Sequence, residues 1–318
     1  MRICRIIALV ICPFVVGGLT VTGCAQTQRG PVQVAAAQTP QQQAVTPATA
    51  MPNREGSLKF AVLGDFGDGG RGQLALAAEM ARVHERYAFE FVITVGDNIY
   101  GSERPQDFVR KFERPYKPLL DKDVKFYASL GNHDSPEQRY YKLFNMDGKV
   151  YYSFTKQNVK FIALQSDYLV PEQMEWLEKE LAGSREDWKI PYFHHPLYSS
   201  GGRHGSSLRH REALEPLFVK YNVSTVFAGH DHVYERIKPQ QGIVHFVAGS
   251  GGKLRAGDID RSSGLTATAN ATERVFMICE VIGDDGGRFL RIGGCEVHRA
   301  ARVRPKGEAA DAKAREFV

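Results

Sequence analysis

"LKFAVLGDFGDGGRGQLALAAEMARVHERYAFEFVITVGD" occupies residues 58–97. Its first segment, "LKFAVLGD" (58–65), is short and apolar and reads as a buried strand. Leu76, Met80, Val83 and Tyr87 then recur at helical spacing, giving one apolar face. "FEFVITVGD" (89–97) is a second buried strand. Strand, helix, strand is a βαβ unit, which implies a parallel pair joined by a right-handed crossover. Both strands end on Gly-Asp, so Asp65 and Asp97 stand at the same edge of one sheet. Gly and Asp also favour turns, and either carboxylate alone reads equally well as a turn residue.

The pattern continues outward. "VKFYASLGN" (124–132) is a third strand ending at Asn132, and "KVYYSFTKQNVKFIALQSD" (149–167) holds two strand-like runs around "KQN", a hairpin. "PEQMEWLEKELAG" (171–183) has Pro at its first helical turn and Gly at its end, which is helix punctuation. "WKIPYFHHP" (188–196) and "VSTVFAGHDH" (223–232) are further strands. Between them "REALEPLFVKY" is helical, with Pro216 expected to interrupt or restart it. The last third, with "GIVHFVAGSGG", "RVFMICEVIG" and "GRFLRIGGCEVHR", is strand-rich. No internal repeat is present. The order implies an α/β protein with two layers of sheet covered by helices.

With 318 residues, 43% of them hydrophobic, the chain can bury a sizeable core. A net charge of +5 without a long Lys/Arg block gives no indication of nucleic acid as a stable partner. The start, "MRICRIIALVICPFVVGGLTVTGC", has Arg2 and Arg5, an apolar run and small residues before Cys24, the layout of a secretory signal. Its end, "VTGC", resembles the lipobox of bacterial lipoproteins, which implies cleavage after Gly23, lipid on Cys24 and attachment to a bacterial membrane. The expected organisation is a signal (1–23), a Gln/Ala/Thr/Pro-rich tether (24–56), a folded domain (57–300) and a flexible charged tail (301–318). Of five cysteines, Cys279 and Cys295 lie in strand-like segments of the domain, and an oxidising envelope allows either a disulfide or two buried thiols. Oligomeric state is not legible.

Polar residues recur where strands end: Asp65, Asp97, Asn132, His194 or His195, then His230 and His232 in "GHDHVYER" (229–236). In open α/β sheets this edge is where sites assemble. "GDFG", "GDNIY", "GNHD", "HHP" and "GHDH" together resemble the five-block signature of the metallophosphoesterases. They are most similar to purple acid phosphatases of the small tartrate-resistant kind, over residues 58 to 250. Gly67, two residues after Asp65, and Tyr100, three after Asp97, mark that branch. The resemblance implies a four-layer αββα sandwich, with two mixed sheets flanked by helices. It also implies hydrolysis of phosphate monoesters by a hydroxide held on two metal ions.

By the same resemblance, a ferric ion takes Asp65, Asp97, Tyr100 and His232. A divalent ion, Zn²⁺, Fe²⁺ or Mn²⁺, takes Asp97, Asn132, His194 and His230, with Asp97 bridging. The family's ligand stands two residues before the proline, which selects His194 over His195. His133 and His204 are the catalytic candidates. Asp134 is expected to hydrogen-bond the His133 ring and keep it cationic. His204, in the Gly-rich "SSGGRHGSS" (199–207), would lie over the phosphate. "GSGG" (249–252) reads as a tight turn rather than an anion cradle. Two other functions are compatible with the chain: a phosphodiesterase or nucleotide hydrolase on the same core, and a non-catalytic envelope lipoprotein.

Overall fold

The computed structural model describes residues 53–282 together with the backbone of 291–299 and 316–317. The signal segment, Cys24 and residues 24–52 of the tether lie outside the described residues. The last tether residues are docked: Asn53 and Arg54 donate backbone N–H groups to the buried Glu280 carboxylate at 2.8 and 2.7 Å.

The βαβ unit forms as its pattern requires. β1 (Leu58–Leu63), α1 (Arg71–Tyr87) and β2 (Phe91–Val95) follow in order, with β1 and β2 parallel. α1 buries Leu76, Ala77, Met80, Val83 and Tyr87. After β2 the chain makes a helical segment that periodicity did not reveal. α2 (Pro105–Phe108) passes through a π-helical turn (Val109–Glu113) into α3 (Arg114–Leu120). β3 (Lys125–Ser129) pairs parallel with β2. The hairpin β4 (Tyr152–Lys156) and β5 (Val159–Ala163) turns at Gln157, which takes φ 50°.

α4 (Pro171–Gly183), β6 (Trp188–Tyr192), α5 (Leu208–Lys220) and β7 (Thr225–Ala228) complete the second parallel run. α5 runs unbroken through Pro216, contrary to expectation. Pro216 is exposed, so the Glu212 carbonyl that loses its intrahelical donor faces water, while Leu214 and Phe218 still anchor the inner face. β8 (Tyr234–Ile237), β9 (Val244–Ala248), β10 (Thr266–Asn270), β11 (Val275–Ile282), β12 (Arg291–Arg299) and β13 (Glu316–Phe317) follow. In backbone register Cys279 of β11 stands opposite Cys295 of β12.

One sheet has the order β13-β12-β11-β1-β2-β3 and the other β10-β8-β9-β7-β6-β5-β4. Both are mixed, and helices flank them, which is the αββα sandwich. The sheets meet on aromatic rings. Phe161 of β5 contacts Phe60 of β1 and Phe91 of β2, each at 5.1 Å between centroids and edge-on. Phe227 of β7 meets Phe60 at 6.1 Å. Such edge-to-face pairs add specificity to the area they bury. Among the described residues no helix is long and apolar enough to cross a membrane.

His245 of β9 is a buried imidazole 4.9 Å from the Tyr198 ring, and its Nε2 has no hydrogen-bond partner among the described residues. Burial, helped by Arg211, pushes its pKa down to about 3. Between that value and the ordinary 6.5 the unfolded chain binds the extra proton and the native chain does not. Stability from this group is therefore complete above pH 6.5 and is lost as pH falls. His245→Leu removes the liability. In urea titrations at pH 7 and pH 5, the wild type should lose about 2 kcal/mol more than His245→Leu, the linkage value for ~1.5 pH units. Equal losses would show that His245 is not desolvated as described.

Candidate metal centre

The site is built from the loops that follow β1, β2, β3, β6 and β7, all at one edge of the two sheets. Three of its residues, Asp65 (φ 54°), Asp97 (φ 52°) and His230 (φ 71°), occupy the left-handed region, which is uncommon outside glycine. Each turns the chain sharply off its strand, and the loops then lock one another. Asp65 N–H donates to the Gly96 carbonyl (3.0 Å), Phe66 N–H to the Asp97 carbonyl (3.2 Å) and Gly229 N–H to the His194 carbonyl (2.9 Å). Gly96 is required as glycine: its φ is +88°, and a Cβ there would lie 2.6 Å from His194 Nδ1. Gly67 is equally constrained, since a Cβ would lie 1.8 Å from the Asn98 carbonyl oxygen.

All seven expected ligand residues come together, in two groups. In the first, the Tyr100 hydroxyl lies 3.2 Å from Asp65 Oδ1 and 3.2 Å from His232 Nε2, and His232 Nε2 is 3.4 Å from Asp65 Oδ1. In the second, His194 Nε2 lies 3.0 Å from Asn132 Oδ1, 3.1 Å from His230 Nδ1 and 3.4 Å from Asp97 Oδ1. Asp65, Asp97 and His194 link the groups, with ligand atoms all within 4.8 Å of one another.

The donor chemistry fits bound cations. His194 Nδ1 is 2.9 Å from the Val95 carbonyl, which can only accept, so Nδ1 carries the hydrogen and Nε2 presents its lone pair. That lone pair faces the Asn132 amide oxygen and the Asp97 carboxylate, two more electron-rich atoms. Burial and the nearby Asp97 push the Asp65 carboxyl well above its ordinary range. Burial, with Asp65 and Asp97, raises the Tyr100 phenol. Burial and the surrounding imidazoles, His194 foremost, push His230 down to about 2, and burial with Arg255 takes His232 down to about 4. A carboxyl such as that of Asp65, which resists ionising beside imidazoles that resist protonation, is the signature of a site lacking positive charge of its own.

The two histidines of the "HHP" segment separate. His194 is fully buried in the cluster, whereas His195 bonds Ser166 Oγ through Nδ1 (2.9 Å) and stacks on His210 at 5.1 Å. His133 is exposed at the rim, held by its N–H on Asp97 Oδ1 (3.0 Å), with its ring 5.0 Å from that of Tyr100. Asp134 does not serve His133 as expected. Its carboxylate accepts from the backbone N–H groups of Asn98 (3.0 Å), Ile99 (3.0 Å) and Gly131 (2.9 Å), and from the Gln138 side chain (2.8 Å). Loop amides outcompeted the neighbouring ring because they fall within the reach of a short side chain. His204 is exposed, with its ring 4.1 Å from that of His230. In "GSGG" the Gly249, Gly251 and Gly252 amides are spent on the Val233, Gly64 and Asp65 carbonyls, so the segment is a turn.

Three supporting residues escaped the sequence reading. Lys111, buried on the π-helical turn, donates to the Tyr100 and Ser102 carbonyls at 2.6 and 2.9 Å and so fixes the loop that carries Tyr100. Asp231 accepts from Ser199 Oγ (2.6 Å) and Gly205 N–H (3.1 Å), gripping both ends of the loop bearing His204. Glu235, fully buried, accepts the Ser200 N–H at 2.7 Å. The only signal in "GHDHVYER" was position: Asp231 stands between the two histidines and Glu235 follows directly in the next strand, β8, and both are buried only in the folded chain.

Residues 58–234 match the Calcineurin-like phosphoesterase family, and the chain belongs to it. Purple acid phosphatase 17 of Arabidopsis thaliana is 27% identical over 245 residues, covering 65% of this chain and 72% of that protein. Tartrate-resistant acid phosphatase type 5 of Homo sapiens is 26% identical over 238 residues, covering 61% and 73%. The purple acid phosphatase PPD1 from yellow lupin seeds superposes with a TM-score of 0.64 at 20% identity, over 84% of this chain and 54% of that one, a likeness of fold. The chain is thus a hydrolase of phosphoesters with acid phosphatase relatives.

Asp231→Ala should release the 199–206 loop. Loss of one buried and one half-buried hydrogen bond to a carboxylate is worth about 1–3 kcal/mol. Hydrogen exchange at Gly205 should accelerate by roughly 10–100-fold at unchanged metal content. Unchanged exchange would mean that Asp231 does not hold the loop.

Proposed function

We propose that the chain is a dinuclear metal-dependent phosphatase acting on phosphate monoesters. The observation that carries the reading is the division of donors into a group containing a phenol and a group rich in imidazole, linked by buried carboxylates. Asp65, Tyr100 and His232 would hold one ion, at a harder, oxygen-rich position suited to Fe³⁺. Asn132, His194 and His230 would hold a divalent ion, Zn²⁺, Fe²⁺ or Mn²⁺, with Asp97 available to both. Bound there, two ions supply a Lewis-acid clamp on the phosphoryl oxygens and a water acidic enough to ionise near neutral pH.

The rest falls to side chains. His133, exposed at the rim and tethered to Asp97 by its backbone, delivers the proton to the departing alkoxide. His204, on the loop held by Asp231 and Glu235, donates to a phosphoryl oxygen. Neutral Asn132 adds a ligand without adding negative charge, so the site still attracts a dianionic substrate. The names of the relatives, acid phosphatases, support monoesters as the substrate class.

Metal analysis, visible spectra and rates on nitrophenyl phosphate, bis(nitrophenyl) phosphate and an alkyl phosphate test this reading together. Iron-loaded wild type should show a phenolate-to-ferric band that Tyr100→Phe abolishes. His194→Ala should lose divalent metal, and His195→Ala should keep it. His133→Ala should retain both ions and slow alkyl esters by about 10²–10⁴-fold, the usual worth of general acid help, with a smaller loss on the nitrophenyl ester. A fully iron-loaded wild type without the band, or faster diester than monoester turnover, would reject the assignment.

The N-terminal layout supports an envelope location, with the domain lipid-anchored through Cys24 to a bacterial membrane, at the outer membrane or the periplasmic face. Stable anchoring needs more than one acyl chain. Cys24→Ser should therefore move the protein from the detergent-extracted to the soluble or unprocessed fraction. A wild-type mature chain that starts elsewhere than Cys24 would discard lipidation.

A further inference from the structure

Tyr100 has a cationic neighbour that no ligand pattern calls for. The Lys253 ammonium lies 4.6 Å from the centroid of the Tyr100 ring, over its face. Among the described residues it makes no ion pair. A lysine on a mobile surface would drift from such a position, but this one is rooted. Its N–H and that of Gly252 both donate to the Asp65 carbonyl, each at 2.9 Å. A Cβ at Gly252 would lie 2.1 Å from the Phe66 carbonyl oxygen, so the turn is pressed onto the segment that carries Asp65. Two residues on, Arg255 N–H donates to the His232 carbonyl at 3.0 Å. The Lys253 backbone is thus tied to Asp65, and its head group to Tyr100, which is itself in contact with Asp65 and His232.

We propose that Lys253 is an electrostatic positioning residue for Tyr100, holding the ring in place and lowering the energy of its π electrons when its oxygen binds iron. The proposal rests on the dinuclear reading above. The attraction between a cation and an aromatic face grows when the ring carries negative charge, and a phenolate is the strongest such partner a protein offers. Stabilised electrons are harder to transfer. A cation at this place therefore moves the phenolate-to-ferric band to shorter wavelength. It also favours the ferrous over the ferric ion, because the ferrous state carries less positive charge beside the ammonium.

The test is a charge series at one position in the full-length, iron-loaded protein: Lys253→Arg, Lys253→Met and Lys253→Glu. The readouts are metal content, band maximum and midpoint potential. Arg, which keeps the charge, should leave band and potential close to wild type. Met should move the band to longer wavelength and lower the potential, and Glu should move both further in the same direction, at constant iron content. Neighbour packing alone would not produce an ordering by charge. A band unmoved by Met and Glu at full iron occupancy overturns the role of Lys253 while leaving the dinuclear reading intact. Iron loss in the Met variant also overturns it, since the residue would then be needed for binding rather than tuning. A wild type that binds iron without any such band overturns the dinuclear reading and this proposal together.

Discussion

Asp65 and Asp97 are buried carboxylates whose oxygens approach one another at the edge of the sandwich, and much of the surrounding structure answers the cost of that arrangement. Two like charges taken out of water repel each other more strongly than they would at the surface. Each receives backbone hydrogen bonds in partial compensation, Asp65 from His230 N–H and Asp97 from His133 N–H. These bonds do not neutralise the pair, and burial keeps the imidazoles beside it from supplying protons. Cations that bind the carboxylates and the imidazole lone pairs together relieve both strains at once. The left-handed turns at Asp65, Asp97 and His230 are tolerated because the loops they start are bonded to one another.

The division of labour between the sheets explains why the site exists only in the assembled sandwich. Asp65, Asp97, Tyr100 and Asn132 follow β1, β2 and β3 of one sheet, and His194, His230 and His232 follow β6 and β7 of the other. One sheet contributes oxygen donors and the other contributes nitrogen donors. Neither half is a complete site. The aromatic contacts of Phe60, Phe91, Phe161 and Phe227 between the sheets therefore set the distance across the donor cluster as well as the core.

What could be read before folding follows from this arrangement. These strands are short, largely apolar runs whose inner ends are buried, and a polar residue after each is conspicuous, so β1, β2, β3, β6 and β7 and their terminal residues were legible. The α2–α3 segment was not, because Pro115 and Pro118 and a π-helical turn break its helical period. Pro216 misled for the opposite reason: its cost to the helix is offset by the packing of Leu214 and Phe218 on the inner face, which the local sequence does not show. The target of Asp134 was hidden by proximity. Its neighbour in sequence was a histidine, whereas its neighbours in space were the amides of Asn98, Ile99 and Gly131. Lys253 was invisible, since only the turn from β9 back onto Asp65 brings it to Tyr100.

The alternation of histidines in "GHDH" takes its meaning from the same geometry. His230 and His232 leave β7 together, yet His230 lies against His194 and His232 against Tyr100 and Asp65. The residue between them points the other way, and Asp231 grips Ser199 and Gly205 of the neighbouring loop. One four-residue segment thus feeds both halves of the donor set and holds the loop that closes over them. Under the dinuclear reading, ligand placement and substrate contact are mechanically joined there. A displacement of β7 that loosened His230 would also release His204, so binding of the divalent ion and of the phosphate would fail together rather than separately.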